Sequence, residues 1–180
     1  MTESAATAGL DRYTGYTHLK FDRPSERVLR ITLDRPGSMN SLNWEAHGEL
    51  TNVWKVVDQD PDTNVAIIRG AGPAFSAGGD FSMVERIMND YAMQAAALKE
   101  FRELCYNMID CSKPIVSAIH GPAVGAGLAA ALLADVSIAA KTARIIDGHT
   151  RLGLAAGDHA ALIWPILCGM AKAKYYVLTC

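Results

Sequence analysis

Twice in this chain a short apolar run opens into a loop of glycine and other small residues and then into a helical pattern, over residues 65–86 and again over residues 115–134. That order constrains the fold more than any other feature. A strand that feeds a Gly-rich loop and then a helix is a unit of α/β architecture, with buried parallel strands and loops gathered beyond their ends. The two apolar runs are too short for helices and read as buried strands. The repeat is one of architecture rather than of sequence, and no low-complexity segment interrupts it. With 180 residues, half of them hydrophobic, the chain can bury one core, so one α/β domain over residues 16–180 is expected.

The remaining elements follow from local pattern. Residues 17–23 and 27–33 read as strands, because Leu29, Ile31 and Leu33 alternate with Arg30 and Thr32. Pro24, Ser25 and Glu26 supply the turn between them. Residues 43–58 read as a helix with Ser41 or Asn43 as N-cap and an apolar stripe of Ala46, Leu50, Val53, Trp54 and Val57. Further helices are expected from Phe81 and over residues 93–109. A strand is expected over residues 136–140, and helix again from residue 158, broken at Gly169. Residues 1–15, rich in Ala, Thr and Gly, are expected to be a disordered tail.

Charge excludes some classes of partner. Seventeen basic and nineteen acidic residues leave a net charge of -2, with no basic surplus for nucleic acid or an anionic membrane. Cys105, Cys111, Cys168 and Cys180 form no C-x-x-C pair, which fits a reduced protein. The N-terminus lacks the apolar segment of a signal peptide, so a cytoplasmic location is expected.

The Gly-rich loops carry the chemistry. Glycine lets backbone approach a ligand closely, and the first N–H groups of a helix have no internal partner. Two such loops side by side can aim two donors at one oxygen, an oxyanion hole for an enolate or a tetrahedral intermediate. The plainer reading is that the glycines only make tight turns. Gly125-Ala126-Gly127-Leu128-Ala129-Ala130 also fits a dinucleotide fingerprint with Asp147 as its acid, although the first glycine lies too far from the strand end. Residues 74–78 nearly match a nucleophile elbow, but Ala74 stands where glycine is needed, so Ser76 reads as structural. His120, His149 and His159 fit no standard zinc spacing, and no metal is expected.

Two longer phrases resemble the crotonase superfamily, the enoyl-CoA hydratases and isomerases. They are Phe75-Ser76-Ala77-Gly78-Gly79-Asp80-Phe81 and the run from Lys113 through His120-Gly121-Pro122 to Gly127. Asp34-Arg35-Pro36 with Met39-Asn40-Ser41-Leu42, and Ala134-Asp135-Val136, extend the likeness in family order. The resemblance implies a spiral of β-β-α turns and an acyl-CoA thioester, with coenzyme A as part of the substrate and no separate cofactor. It implies the backbone N–H groups of Gly79 and Ala126 as oxyanion hole, and Ser38, Ser41, Ala77, Asp80, Phe81 and Val124 as substrate-binding residues. It also implies a homotrimer or hexamer, and C-terminal helices that would follow Cys180.

The chain departs from the family where proton transfer takes place. Ala129 and His149 stand where the two glutamates of a hydratase are expected. His149 with Asp158 then resembles the branch that hydrolyses carbon–carbon bonds of β-diketones, in which a histidine base and an aspartate activate water. His159 is a lesser candidate for the same role. The alternatives are a hydratase or isomerase, a β-diketone hydrolase, and a non-catalytic acyl-CoA-binding protein.

Overall fold

The computed structural model describes residues 9–156 and 159–180. β1 (Leu19–Ser25) and β2 (Val28–Leu33) pair antiparallel. β3 (Val65–Gly70), β4 (Ile115–Ile119) and β6 (Val136–Ala139) then add in parallel, giving the order β1-β2-β3-β4-β6. A second sheet pairs β5 (Pro122–Val124) with β7 (Arg144–Ile146). Single parallel bridges, Ser76 with Ala123 and Leu42 with Gly79, continue this second layer across earlier turns of the chain. The chain thus alternates a strand in the large sheet, an extended segment in the small one, and a helix. That is the spiral of β-β-α turns implied by the family resemblance.

Helix α1 (Trp44–Asp58) begins where Asn43 accepts a hydrogen bond from the Ala46 N–H at 2.9 Å, as an N-cap should. Its stripe of Ala46, Leu50, Val53, Trp54 and Val57 is buried. α2 (Phe81–Asn89) and α3 (Tyr91–Ile109) follow β3, each started by an aspartate cap, Asp80 and Asp90. α3 buries Ala97, Leu104, Cys105 and Met108 and leaves Phe101 half-buried. α4 (Gly125–Leu133) is apolar on every side, and six of its residues, from Ala126 through Ala131, are buried. α5 (His159–Cys168) and α6 (Met170–Thr179) come last, separated at Gly169. Among the described residues no helix is long and apolar enough to cross a membrane.

Three expectations change. β1 runs on through Pro24 and Ser25, and the turn falls at Glu26 and Arg27, with Arg27 at φ 59°. Proline is tolerated there because β1 is an edge strand with an irregular register between Asp22 and Ser25. β5 and β7 were not anticipated. The expected tail of residues 1–15 is also ordered over part of its length. Its residues 1–8 lie outside the described residues, but Asp11–Tyr13 form a helical turn and Tyr13 is buried.

Tyr13 is held by a polar knot around Asp60, whose side chain is fully buried. Tyr13 Oη, Thr63 Oγ1 and Arg23 Nη2 all donate to Asp60 Oδ2, at 2.9, 2.7 and 2.9 Å, and the Asp62 N–H donates to Oδ1 at 3.0 Å. Burial alone would raise the carboxyl pKa. The hydrogen bonds from Thr63, Asp62, Tyr13 and Arg23 outweigh it and hold the group at about 2, below its usual 3.8. A carboxyl depressed on folding stabilises fully above its unfolded value and loses that contribution as pH falls towards the folded value. The difference corresponds to about 2 kcal/mol. Asp60→Ala, which strips the buried Arg23 of its carboxylate, should cost about 3–5 kcal/mol. Thermal melts should show a Tm loss on the order of 10 °C near neutrality, narrowing between pH 4 and pH 2. A loss independent of pH would show that the carboxylate charge is not what holds the knot.

Candidate active site

Both Gly-rich loops end at the same place, and three features bring them together. The N–H groups of Phe75 and Ser76 donate to Pro122 O at 3.0 and 3.1 Å, and the Val124 N–H returns a bond to Ser76 O at 2.9 Å. Ser76, fully buried, donates from Oγ to Asn40 O at 2.8 Å and accepts from the Gly78 N–H at 3.2 Å. Gly127 lies so close that a Cβ there would stand 2.3 Å from Ser76 Cβ. Ser76 is therefore structural, joining the early loop, the first Gly loop and α4.

This lacing brings the backbone of Gly79 beside the start of α4, where Ala126 lies. In the parallel bridge between Leu42 and Gly79, the bonds run from the Leu42 N–H to Gly78 O and from the Asp80 N–H to Leu42 O, both 2.8 Å. The Gly79 N–H points away from that bridge and has no acceptor among the described residues. Ala126 is the second residue of α4, whose N-cap Val124 offers no side-chain hydrogen bond and whose first turn holds no acid. Its N–H carries the partial positive charge of a helix start. Gly125 sits between the two at φ 54°. A Cβ on it would lie 3.4 Å from Gly78 Cα and 3.8 Å from Gly79 N.

In front of these donors lies a cavity of about 680 Å³. Ser38, Ser41, Ala77, Gly79, Asp80 and Phe81 line one side of it, and Val124, Ala126 and His149 line another. The structure thus brings together every expected site residue except Asp158, which lies outside the described residues. Met83, Val84 and Ile87 of α2, with Ala97, Leu98 and Phe101 of α3, give an apolar wall. Asp80 caps α2. Hydrogen bonds from the Ser82 hydroxyl and N–H hold its carboxyl below the usual range, and Arg35 stands 3.9 Å away.

Among the described residues, the carboxylate that meets His149 is Asp147. Its two oxygens lie 3.0 Å from His149 Nδ1, and Oδ1 also accepts the His149 backbone N–H at 3.2 Å. Asp147 is buried, whereas the His149 side chain is 17% exposed. A carboxylate on Nδ1 fixes the ring and selects the tautomer in which Nε2 is the basic atom. Sequence reasoning had considered Asp147 only as a possible dinucleotide ligand. Its position two residues before the histidine was the available signal.

The enoyl-CoA hydratase/isomerase family model matches residues 23–180. The chain belongs to that family. It is 33% identical over 154 residues to a protein of Mycobacterium bovis named a probable enoyl-CoA hydratase, covering 86% of this chain and 58% of the relative. It is 35% identical over 156 residues to the (E)-benzylidenesuccinyl-CoA hydratase of Thauera aromatica, covering 86% and 60%. An enoyl-CoA hydratase/isomerase structure from Mycobacterium paratuberculosis superposes with a TM-score of 0.85 at 38% identity, over 91% of this chain and 66% of that one. The chain therefore spans about three-fifths of the curated relatives it matches. Within this family fold, Gly127→Ala should be among the costliest one-carbon changes, because its Cβ meets a fixed Cβ rather than a flexible chain end. The expected loss is about 1–3 kcal/mol by thermal melt. Gly79→Ala should cost less, since its Cβ meets the mobile Met83 Cε at 3.2 Å.

Proposed function

We propose that this protein acts on an acyl-CoA thioester and stabilises the enolate or oxyanion formed at the thioester carbonyl. The observation that carries the reading is the pair of backbone donors, Gly79 and Ala126, on two loops laced through Ser76 and facing one cavity with His149. Preorganised N–H groups stabilise charge that develops in the reaction and need not reorganise as it forms. The thioester carbonyl would sit between them, with the acyl group against α2 and α3. His149, oriented by Asp147, would supply acid–base chemistry. Asp158 is retained in the proposal as a second carboxylate for that site. Trimeric assembly is proposed from family membership.

A second reading has its own support. Residue 129 is a buried alanine, and the His149 imidazole that lines the cavity is paired with the Asp147 carboxylate. Water activated by such a pair attacks a ketone, so carbon–carbon hydrolysis of a β-dicarbonyl compound fits the same residues. Binding of acyl-CoA without turnover is the third possibility.

One variant separates them. Loss of crotonyl-CoA absorbance measures hydration, and calorimetry measures thioester affinity. His149→Ala should lower turnover about 10²–10⁴-fold, the usual contribution of a general acid–base group, while affinity stays within threefold. Folded wild type that binds the thioester without consuming it would rule out the hydratase reading, and cleavage of a β-diketone would then favour the second. Unchanged turnover in His149→Ala would remove His149 from the chemistry.

A further inference from the structure

The main cavity has an aromatic floor. On α3 the residues that line it, Gln94, Ala97, Leu98 and Phe101, stop at Phe101. One turn further on, Leu104 and Cys105 are buried, and Cys105 packs with Ala129 and Ile163. The cavity therefore ends against the Phe101 ring and that of His159, which lies 4.9 Å from it and lines the same cavity. Behind Phe101 stands His47 of α1, fully buried, its ring 5.1 Å away and edge-on. His47 is in turn tied to α3, where its Nδ1 lies 2.5 Å from Glu100 Oε1. A second tie joins the same two helices, from Asn107 Nδ2 to Thr51 O at 2.7 Å. Glu100 precedes Phe101 by one residue, about 100° around the helix. Holding Glu100 to α1 therefore also fixes the direction in which the Phe101 side chain leaves α3.

We propose that Phe101 sets the length of the acyl group this cavity accepts, and that His47 and Glu100 position it. The proposal rests on the acyl-CoA reading and deepens it, naming the substrate as the thioester of a straight acyl chain short enough to end at the Phe101 ring. With the thioester carbonyl at Gly79 and Ala126, the acyl group leaves the donors past Met83, which stands against Gly79, and runs between the apolar faces of α2 and α3. Met83 and Met88 are unbranched and can adapt to what lies between the helices. Phe101 has less freedom, because its ring is packed against two others and the polar contact behind them is costly to break. Phe101 meets the end of the chain, whereas His47 and Glu100 act only through it. The other way out runs past Met88 and Leu98, both more than half exposed, and a chain that took it would meet no stop.

The test is calorimetry with saturated straight-chain thioesters, from butyryl-CoA to lauroyl-CoA. In the wild type, affinity should rise about fourfold with each added methylene and then level off at one chain length. Phe101→Ala should move that length outward by about two carbons or more, into the room the missing ring leaves. Phe101→Leu, a smaller change, should move it in the same direction and keeps the test alive if Phe101→Ala fails to fold. Glu100→Ala should let longer thioesters in while butyryl-CoA binds as in the wild type. Glu100→Gln, which keeps an acceptor oxygen for the His47 ring, should restore the wild-type profile. A merely structural role for the pair would weaken every thioester alike. A profile that levels off at the same length in wild type, Phe101→Ala and Phe101→Leu would overturn the proposal. So would a wild-type affinity that keeps rising to lauroyl-CoA, since the chain then leaves past Met88 and Leu98. Both of those outcomes leave the acyl-CoA reading standing, whereas a folded wild type that binds none of the thioesters would sink the two together.

Discussion

The contact on which the site depends is the close approach of Gly127 to Ser76. Helix α4 can start beside the first Gly loop only because residue 127 has no side chain, since a Cβ there would overlap Ser76 Cβ and Oγ at 2.3 and 2.4 Å. Ser76 uses that closeness. Its backbone joins β5, its hydroxyl reaches Asn40 O, and it accepts the Gly78 N–H. Asn40 extends the lacing, donating from Nδ2 to Ala71 O and Ala74 O at 2.8 Å and accepting the Arg35 N–H at 2.8 Å. Three loops far apart in sequence are thereby fixed to one another by buried hydrogen bonds, which are costly to break. The positions of the Gly79 and Ala126 backbone, the proposed donors, follow from this lacing.

The same contact accounts for the resemblance to a dinucleotide fingerprint. In that motif glycines let a pyrophosphate approach the first turn of a helix that leaves its strand directly. Here Gly125 admits the Gly78–Gly79 backbone and Gly127 admits Ser76, so protein occupies the room the glycines create. The interval between β4 and the first glycine is also explained. It contains β5, a strand of the second layer. Asp147 pairs with His149.

What was legible in the sequence was what repeats at a period. The stripe of α1 and the short apolar runs of β3 and β4 announce themselves because burial selects one face or a whole strand. β5 and β7 do not. Each has three residues, and they are strands only because they pair with each other across intervening chain. The positions of the loop donors came from the family resemblance. Periodicity carries no information about which N–H lacks an acceptor, and that depends on the bridge between Leu42 and Gly79. The pairing of Asp147 with His149 was missed for a related reason. In a loop, a spacing of two residues fixes no face, and only the fold places both Asp147 oxygens at the His149 ring.

The two halves of the site are built from different materials, and this bears on how the chain can depart from a glutamate pair while keeping the family fold. The proposed oxyanion donors are backbone groups, so no side-chain substitution removes them unless it breaks the lacing around Ser76. The helix that supplies one of them is apolar, has no acid in its first turn and receives no side-chain cap, so nothing on the helix offsets the positive end of its dipole. α2 starts the other way, with Asp80 bonded to Ser82. In the proposed reading the acid–base side chain His149 and its partner Asp147 sit, by contrast, on the segment after β7 rather than on the donor loops. An alanine at position 129 of α4 leaves the backbone N–H groups in place, and in the proposed reading an imidazole held by Asp147 takes over proton transfer because its ordinary pKa lies near neutrality. On that reading, charge stabilisation and proton transfer are separable in this fold, and a change in the second leaves the first in place.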